Sequence, residues 1–367
     1  MRQEDKKSIL NIIDNRWWSG SSHFAVYTTK ALHENGYDTA IIGDPDTPAI
    51  QRATELGLQV LGGFNPRSTN VLKYFSDRSK LLSVIEKGNY RILIAHGPPS
   101  HFWASRMKKL LGDKITLIRG LSENMDPKVN LVSKNIYRKH TDHFFASSSS
   151  LIKKYSRAFD ISEEKFTLSL GPFDLDEFDN SYKPKELNDE EITFGLIARL
   201  SPVKGHEIYI KAAAIALEKN PNLKFLISGD EHQINKRELN AMAEKAGISD
   251  RVTISGSFSH PSEPISMIHV GVIASTFSEV ICRVGMEYMA AGKPVIASDV
   301  NVLPELVQDG VTGLIVPSGD IKALSDAILK LSGSRDLIKK LGENGRKRAE
   351  MDFRLTKFAE TIEPSLK

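Results

Sequence analysis

The stretch "VGVIASTFSEVICRVGMEYMAAGKPVIAS", residues 270–298, contains two short apolar runs separated by a segment of helix length. The apolar runs predict two strands, and the segment between them predicts a helix that begins near Ile281 and ends at Ala291. Gly292 suits the C-terminal stop of that helix, and Pro294 can open the next strand. A strand–helix–strand unit of this kind predicts a parallel sheet in an α/β fold.

The same alternation extends in both directions along the 367 residues. Further strands are predicted at 8–13, 39–43, 92–96, 115–119, 143–147, 192–199, 224–229, 252–256 and 312–317. Residues 171–190 between the halves are polar and carry two prolines, which indicates a linker. We therefore expect two Rossmann-like domains facing a central cleft, 1–170 and 191–350.

The composition is that of an ordinary globular protein, with 40% apolar and 26% charged residues. No apolar run approaches the roughly 20 residues that a membrane-spanning helix needs. Cys282 is the single cysteine, which rules out an internal disulfide and fits a reducing cytosol. We therefore expect a cytoplasmic location. The sequence has no Cys/His cluster at metal-ligand spacing, so we expect no structural metal.

The net charge of +3 is unevenly distributed. Residues 1–168 carry 25 Lys and Arg against 17 Asp and Glu, whereas the remainder carries 24 against 29. A basic first half could attract a phosphorylated acceptor or an anionic membrane surface, or could be a solvated surface with no partner. Because no basic-aromatic nucleic-acid motif is present, we expect no nucleic acid partner. The segment 101–112, apolar on one face and basic at its end, suggests contact at a membrane interface or a helix that faces the core.

Two cations follow the strand predicted at 192–199. Arg199 ends this strand, and Lys204 comes five residues later, near Pro202, which favours the first turn of a helix. An Arg fork and a Lys point charge at a helix start suit a pyrophosphate, although surface cations show the same spacing.

Two glutamates flank the start of the helix predicted from Ile281. Glu279 precedes the helix and Glu287 lies within it, eight residues further on. The helix start can bind phosphate oxygens, so the two carboxylates could accept from hydroxyls on either side of a phosphate. Sugar–diphosphate–ribose has that arrangement, whereas the spacing alone also fits ordinary surface acids.

These motifs together resemble a known family. R-x4-K, E-x7-E, "AAGKPVIASDV" and "LPELVQDGVTGLIVPSGD" look like the retaining glycosyltransferase family 4, which has the GT-B fold. The likeness is strong over 192–350 and fainter over 1–170. It implies a metal-independent enzyme with no cofactor, which moves a sugar from a UDP- or GDP-linked donor to an acceptor hydroxyl in cell-envelope polysaccharide, lipopolysaccharide or glycolipid synthesis. The family resemblance implies in addition that a C-terminal helix in 351–367 crosses back to the first domain.

The resemblance also implies roles for individual residues. Arg199 and Lys204 match the pair that binds the diphosphate, and Glu279 matches the residue that contacts the donor sugar; these three are the catalytic candidates. Glu287 matches the residue that accepts from the ribose hydroxyls. Further donor-binding candidates are Gly20 in the first loop, Gly256 and Phe258 in the base-binding turn, and Val280, Ile281, Cys282 and Arg283 where the family usually has glycines.

Two acceptor-side candidates depart from or only loosely follow the family pattern. His96 stands at a family histidine position, and Arg119 stands where the family often has histidine, which suggests an anionic group in the cleft.

Two alternative functions remain open: a sugar-nucleotide epimerase or hydrolase of the same fold, and a non-catalytic sugar-nucleotide-binding protein. The expected partners are a nucleotide sugar and a glycan or glycolipid acceptor, with peripheral contact at the inner face of the plasma membrane.

Overall fold

The protein is described by a computed structural model. The described residues are 8–68, 74–123, 126–184, 191–258, 260, 262–277 and 279–366. The chain divides into two compact units, the first comprising Met1–Phe173 with Arg354–Lys367 and the second Asp174–Phe353. None of the helices in the described part of the chain is long and apolar enough to cross a bilayer.

The described residues of the first unit form a seven-stranded parallel sheet in the order β3-β2-β1-β4-β5-β6-β7. Its strands are β1 Ser8–Ile12, β2 Thr39–Ile42, β3 Gln59–Leu61, β4 Tyr90–Ala95, β5 Thr116–Leu121, β6 His143–Ala146 and β7 Phe166–Leu168. Its helices are α1 Gly20–Glu34, α2 Pro48–Glu55, α3 Tyr74–Lys87, α4 Pro98–Leu111, α5 Leu131–Lys139, α6 Ser149–Phe159 and α15 Leu355–Ile362.

The second unit contains a six-stranded parallel sheet in the order β10-β9-β8-β11-β12-β13 among its described residues. Its strands are β8 Ile192–Ile197, β9 Leu223–Ser228, β10 Val252–Ser255, β11 Val270–Ile273, β12 Val295–Ser298 and β13 Gly313–Val316. Its helices are α7 Leu175–Ser181, α8 His206–Lys219, α9 Lys236–Lys245, α10 Ser262–Ile265, α11 Arg283–Ala290, α12 Leu303–Leu306, α13 Ile321–Ser332 and α14 Arg335–Arg348.

The central strands are continuous apolar runs because both faces of a parallel sheet are covered. In the second unit, α8 packs against α13, and the small α8 residues Ala212, Ala213 and Ala216 are fully buried. All eleven predicted strands are confirmed. The helix predicted from Ile281 begins two residues later, at Arg283, and Gly292 has the left-handed φ of +67° that ends it.

Three segments differ from the sequence prediction. Strands β3 and β7 were not predicted, and the predicted linker 171–190 contains the helix α7, with 185–190 outside the described residues. The Asp174 side chain caps α7 by accepting from the backbone N–H of Glu177. Helix α15 packs against α1 in the first unit.

The helix suggested for membrane contact, α4, has its apolar face in the core. Trp103 is 4% exposed and Met107 is fully buried. Lys108, in its last turn, donates to the Ile115 carbonyl at 2.7 Å and pairs with Asp142 at 2.9 Å. Because folding already covers this face, the proposed interfacial role of 101–112 is wrong, and the core-facing alternative is confirmed.

Candidate functional site

The second sheet reverses its direction of growth between two adjacent strands. The chain proceeds from β8 outward through β9 to β10, then returns to place β11 on the other side of β8. In open α/β sheets, ligands bind in the crevice at the carboxyl ends of the strands at such a switch point. Arg199 and Lys204 follow β8 and Glu279 follows β11, so the fold brings these segments to one place.

Lys204 and Glu279 form an ion pair at this switch point. Lys204 lies in a 3-10 turn, Pro202–Lys204, and its Nζ donates to Glu279 Oε1. The Ser275 hydroxyl donates to the same oxygen at 2.6 Å. Glu279 is only 5% exposed, whereas the Lys204 side chain is 20% exposed. The carboxylate is therefore fixed in place, and the ammonium group lies at the edge accessible to solvent.

Gly205 allows the two loops to approach closely. Its φ is +74°, and a Cβ at this position would lie 1.9 Å from the Ala274 carbonyl oxygen. Beside it, the Thr276 N–H donates to the Val203 carbonyl at 2.9 Å. Our sequence reasoning missed both Gly205 and Ser275. The glycine directly after Lys204 was a usable signal, since a left-handed residue there favours glycine.

Helix α11 carries the second carboxylate. Glu287 lies in its second turn, 6% exposed, and forms an ion pair with Arg283, with 2.9 Å between Arg283 Nε and Glu287 Oε1. The cap residue Cys282 makes no side-chain hydrogen bond to the helix, and the first-turn N–H groups of a helix have no intrahelical partners. The N–H groups at this helix start can therefore donate to an anion.

Tyr288 anchors α11 to β8. Its hydroxyl accepts from the Ile197 N–H at 3.0 Å and donates to the Gly195 carbonyl at 3.2 Å. Burial raises the pKa of this hydroxyl, and the nearby Glu287 and Glu279 carboxylates raise it further. Tyr288 therefore stays protonated and fixes the helix start beside the carboxyl end of β8.

The remaining donor-side candidates differ in environment. Arg199 has an exposed side chain, and its carbonyl accepts from His206 Nε2 at 3.3 Å. The Gly256 carbonyl accepts from the Ser228 hydroxyl at 3.0 Å, and Phe258 is half-buried after β10. Val280 and Cys282 are buried, and Ile281 is half-buried. Burial raises the pKa of the Cys282 thiol well above its usual value, which does not favour a nucleophilic role.

The first unit places His96 at the corresponding reversal of its sheet, after β4. His96 Nε2 lies 2.9 Å from Asn11 Oδ1, and an amide oxygen can only accept, so Nε2 carries the proton. Burial, with the nearby Arg119 cation, lowers the pKa of His96 to about 3. The imidazole is therefore neutral near pH 7.

Arg119 is fully buried and paired within the chain. Its guanidinium donates to the carbonyls of Ala95 and Gly120 and forms an ion pair with Glu123. Glu123 is therefore the anion that neutralises Arg119, in contrast to our expectation of an anionic group in the cleft. Sequence reasoning missed this pairing because Glu123 lies beyond the predicted strand.

Asp14 and Gly20 both follow β1 in the chain. Asp14 is buried and its Oδ2 accepts from the Ser100 N–H, at the first turn of α4, at 2.8 Å. Gly20 is exposed and begins α1 directly after the cap residue Ser19. In the described part of the chain, no group of three or more His, Cys, Asp or Glu side chains is arranged to hold a metal ion.

Comparison with known proteins finds a family match within the second unit. Residues 177–348 match the family described as Glycosyl transferases group 1. The chain is 34% identical over 161 residues to the alpha-D-kanosaminyltransferase of Streptomyces kanamyceticus, covering 43% of this chain and 40% of that protein. It is 31% identical over 255 residues to the capsular polysaccharide biosynthesis glycosyltransferase CapM of Staphylococcus aureus, covering 67% and 60%.

The fold extends the likeness to both units. The structure of Anabaena HepE in complex with UDP superposes with a TM-score of 0.83 at 18% identity, covering 98% of this chain and 99% of that one. The matched stretches span only two fifths and three fifths of the two curated relatives. Residues 177–348 thus match the model of the glycosyl transferases group 1 family, and the two parallel sheets have the fold of GT-B glycosyltransferase structures.

Proposed function

We propose that the protein is a retaining glycosyltransferase of the family 4 type. It would move a sugar from a nucleoside diphosphate to an acceptor hydroxyl in the synthesis of an envelope polysaccharide, lipopolysaccharide or glycolipid. The observation that carries the proposal is the Lys204–Glu279 pair at the sheet reversal, beside the start of α11. Such a site offers cations and backbone donors to a diphosphate, and carboxylates to the hydroxyls on either side of it.

Each group has a chemical task in this proposal. Arg199, Lys204 and the α11 N-terminus would bind the diphosphate and stabilise the charge that develops on it as the bond to the sugar breaks. Glu279, held by Ser275, would accept from sugar hydroxyls. Glu287 would accept from the ribose hydroxyls. Under retention, the leaving phosphate itself would take the acceptor proton, so the site needs no separate protein base.

The bound diphosphate changes the role of Lys204. In the structure its charge is balanced by Glu279. A diphosphate at the α11 start would give this ammonium group a second anionic partner, and Lys204 can serve both because it has three donor hydrogens. The ammonium group that would stabilise the leaving diphosphate is therefore held in position by Glu279.

The names of related proteins support the donor and acceptor classes. The HepE structures are described as complexes with UDP, with UDP and glucose, and with UDP-glucose. CapM is named for capsular polysaccharide biosynthesis, and the Rhizobium meliloti relative LpsB is named as a lipopolysaccharide core mannosyltransferase. We accordingly propose a UDP- or GDP-linked donor, a glycan or glycolipid acceptor and no metal requirement.

The experiment is a transfer assay with labelled UDP- and GDP-sugars, with and without a panel of hydroxyl acceptors. We expect nucleotide release that depends on the acceptor. NMR of the product should show that the anomeric configuration of the sugar is retained. Release without acceptor would favour a hydrolase, and conversion of the sugar while it remains nucleotide-linked would favour an epimerase. Binding without any reaction would favour a sugar-nucleotide-binding protein.

Peripheral contact with an anionic membrane is proposed through the start of α5 rather than through α4. Val129, Leu131 and Val132 are 47%, 87% and 59% exposed. Exposed cations accompany them: Lys128, Lys134, Arg138 and Lys139. Exposed apolar side chains surrounded by cations suit an anionic lipid surface, to which each cation contributes about 1 kcal/mol.

The surroundings of His140, at the end of α5, support a positively charged region there. Burial lowers the pKa of His140, and the cations of Lys109, Lys139, Arg106 and Lys108 lower it further. Helices α4 and α5 therefore contribute to one positively charged region.

Co-sedimentation with anionic and neutral liposomes tests this contact. We expect the protein to bind anionic vesicles only. This binding should be lost at high salt and in the double variant Leu131→Asp/Val132→Asp. Phe75→Asp is the matched control, since Phe75 is 70% exposed on a different helix. Equal recovery with both lipids, or equal loss in the control, would contradict the proposal and leave a soluble acidic or phosphorylated acceptor as the partner of this surface.

A further inference from the structure

Arg283 occupies the first position of α11, one residue after the cap. One turn later, Glu287 forms an ion pair with it, with 2.9 Å between Arg283 Nε and Glu287 Oε1. The Glu287 side chain is 8% exposed and the Arg283 side chain 33% exposed, so the pair extends from the interior to the surface of the site. A leucine or glycine at this position could not form this ion pair.

The pair has a geometric consequence for Glu287. A glutamate side chain has three rotatable bonds, and a cation held 2.9 Å from one oxygen restricts its orientation. A carboxylate offers about four lone-pair sites, so one Arg contact leaves room for two hydroxyl donors. Arg283 therefore orients the carboxylate without occupying its whole hydrogen-bonding capacity.

The pair also has an electrostatic consequence. An uncompensated carboxylate beside a diphosphate would repel it, particularly where burial reduces screening. Arg283 neutralises Glu287 and leaves Arg199 and Lys204 to act on the phosphate charge together with the helix start. Its remaining guanidinium N–H groups stay at the more exposed end of the pair, where a phosphate oxygen could accept from them.

We propose that Arg283 is a positioning and specificity residue for the donor. Its guanidinium holds Glu287 in the orientation that accepts from the ribose hydroxyls and lowers the repulsion between that carboxylate and the diphosphate. The inference rests on the proposed function, because it takes a nucleoside diphosphate as the ligand. It predicts that selection for ribose over deoxyribose depends on Arg283 as well as on Glu287.

The test is calorimetric titration with UDP or GDP, whichever binds the wild-type protein more tightly, and with its 2′-deoxy analogue. Arg283→Met retains the apolar stem, and Arg283→Lys retains the charge with a different hydrogen-bonding geometry. We expect Arg283→Met to weaken diphosphate binding at least tenfold and to reduce the ribose preference at least threefold. Arg283→Lys should recover part of the affinity and less of the preference.

A double-mutant comparison separates positioning from charge. In a Glu287→Ala background, Arg283→Met should change the ribose preference no further, because the carboxylate that it orients is absent. Lys322→Ala is the matched control, since Lys322 forms an i,i+4 pair with Asp326 at 2.6 Å on the exposed face of α13. It should bind both nucleotides like the wild type.

Two results would overturn the inference while leaving the proposed function intact. The first is an Arg283→Met protein with affinity and ribose preference within twofold of the wild type. The second is a loss of affinity with the preference unchanged, which would reduce Arg283 to a general cation. Absence of nucleoside diphosphate binding by the wild-type protein would instead overturn the proposed function, and the inference with it.

Discussion

Replacing Gly205 by alanine should destabilise the second unit and weaken the donor site together. The φ of +74° strains any L side chain, and the new Cβ would lie 1.9 Å from the Ala274 carbonyl oxygen and 2.7 Å from its carbon. The left-handed conformation costs about 1–2 kcal/mol and overpacking about 1–3 kcal/mol. The expected total is about 2–5 kcal/mol, since backbone atoms cannot move away as a flexible side chain would.

The assay is urea unfolding of Gly205→Ala beside a control variant that has the left-handed backbone strain without the steric overlap. Gly247 has a φ of +70° with nothing within 4 Å of its added Cβ, so Gly247→Ala should lose only about 1–2 kcal/mol. Nucleotide affinity should fall in Gly205→Ala and stay unchanged in Gly247→Ala, because Gly205 joins the loops that carry Lys204 and Ser275. Equal destabilisation of the two proteins, with affinity retained in both, would refute this account of the loop contact.

Further predictions concern metal dependence, acid stability and the thiol. Transfer activity should persist in excess EDTA, because Arg199 and Lys204 supply the cations; a loss restored by Mg²⁺ or Mn²⁺ would contradict this. Stability should fall on acidification from pH 6.5, since the unfolded chain then protonates a histidine whose folded pKa is about 3. The free energy of unfolding should fall by about 1.4 kcal/mol per pH unit for each such proton. His96→Gln should reduce this pH dependence by about that amount in urea titrations between pH 6 and 4.5. Cys282, 2% exposed with a raised pKa, should react with a thiol reagent only as the protein unfolds, and rapid labelling of the native protein would count against this.

The sequence was sufficient for most of the fold because parallel strands are long apolar runs. Strands β3 and β7 escaped prediction because they are three-residue strands at the sheet edges, with no fully buried position. The helix α7 lies in a segment too polar for its pattern to stand out. Its anchor is also distant in the sequence, since Asp179 pairs with Arg346 at 2.6 Å.

The site was predictable where a residue's role follows from its place beside a strand or helix end. Glu279 outside α11 and Glu287 inside it lie as expected. The approach of Gly205 to Ala274 depends on two loops that meet only when β8 and β11 pair, so the glycine after Lys204 signalled the position but not its neighbour. Ser275 and Arg119 were missed or misinterpreted for a different reason, because their partners Glu279 and Glu123, each four residues on, become neighbours through the local conformation after β11 and β5.

Nucleotide binding tests the central claim most directly. Thermal denaturation of the wild-type protein and Glu287→Ala would be followed with UDP, GDP, ADP and their sugar derivatives. At 100 times its Kd, a ligand stabilises the folded protein by about 2.7 kcal/mol. The account predicts that at least one UDP- or GDP-linked ligand raises the wild-type midpoint. In Glu287→Ala the shift should be largely lost, because a hydrogen bond to a charged group contributes about 1.5–3 kcal/mol. No shift with any nucleotide at millimolar concentration, or equal shifts in the two proteins, would contradict it.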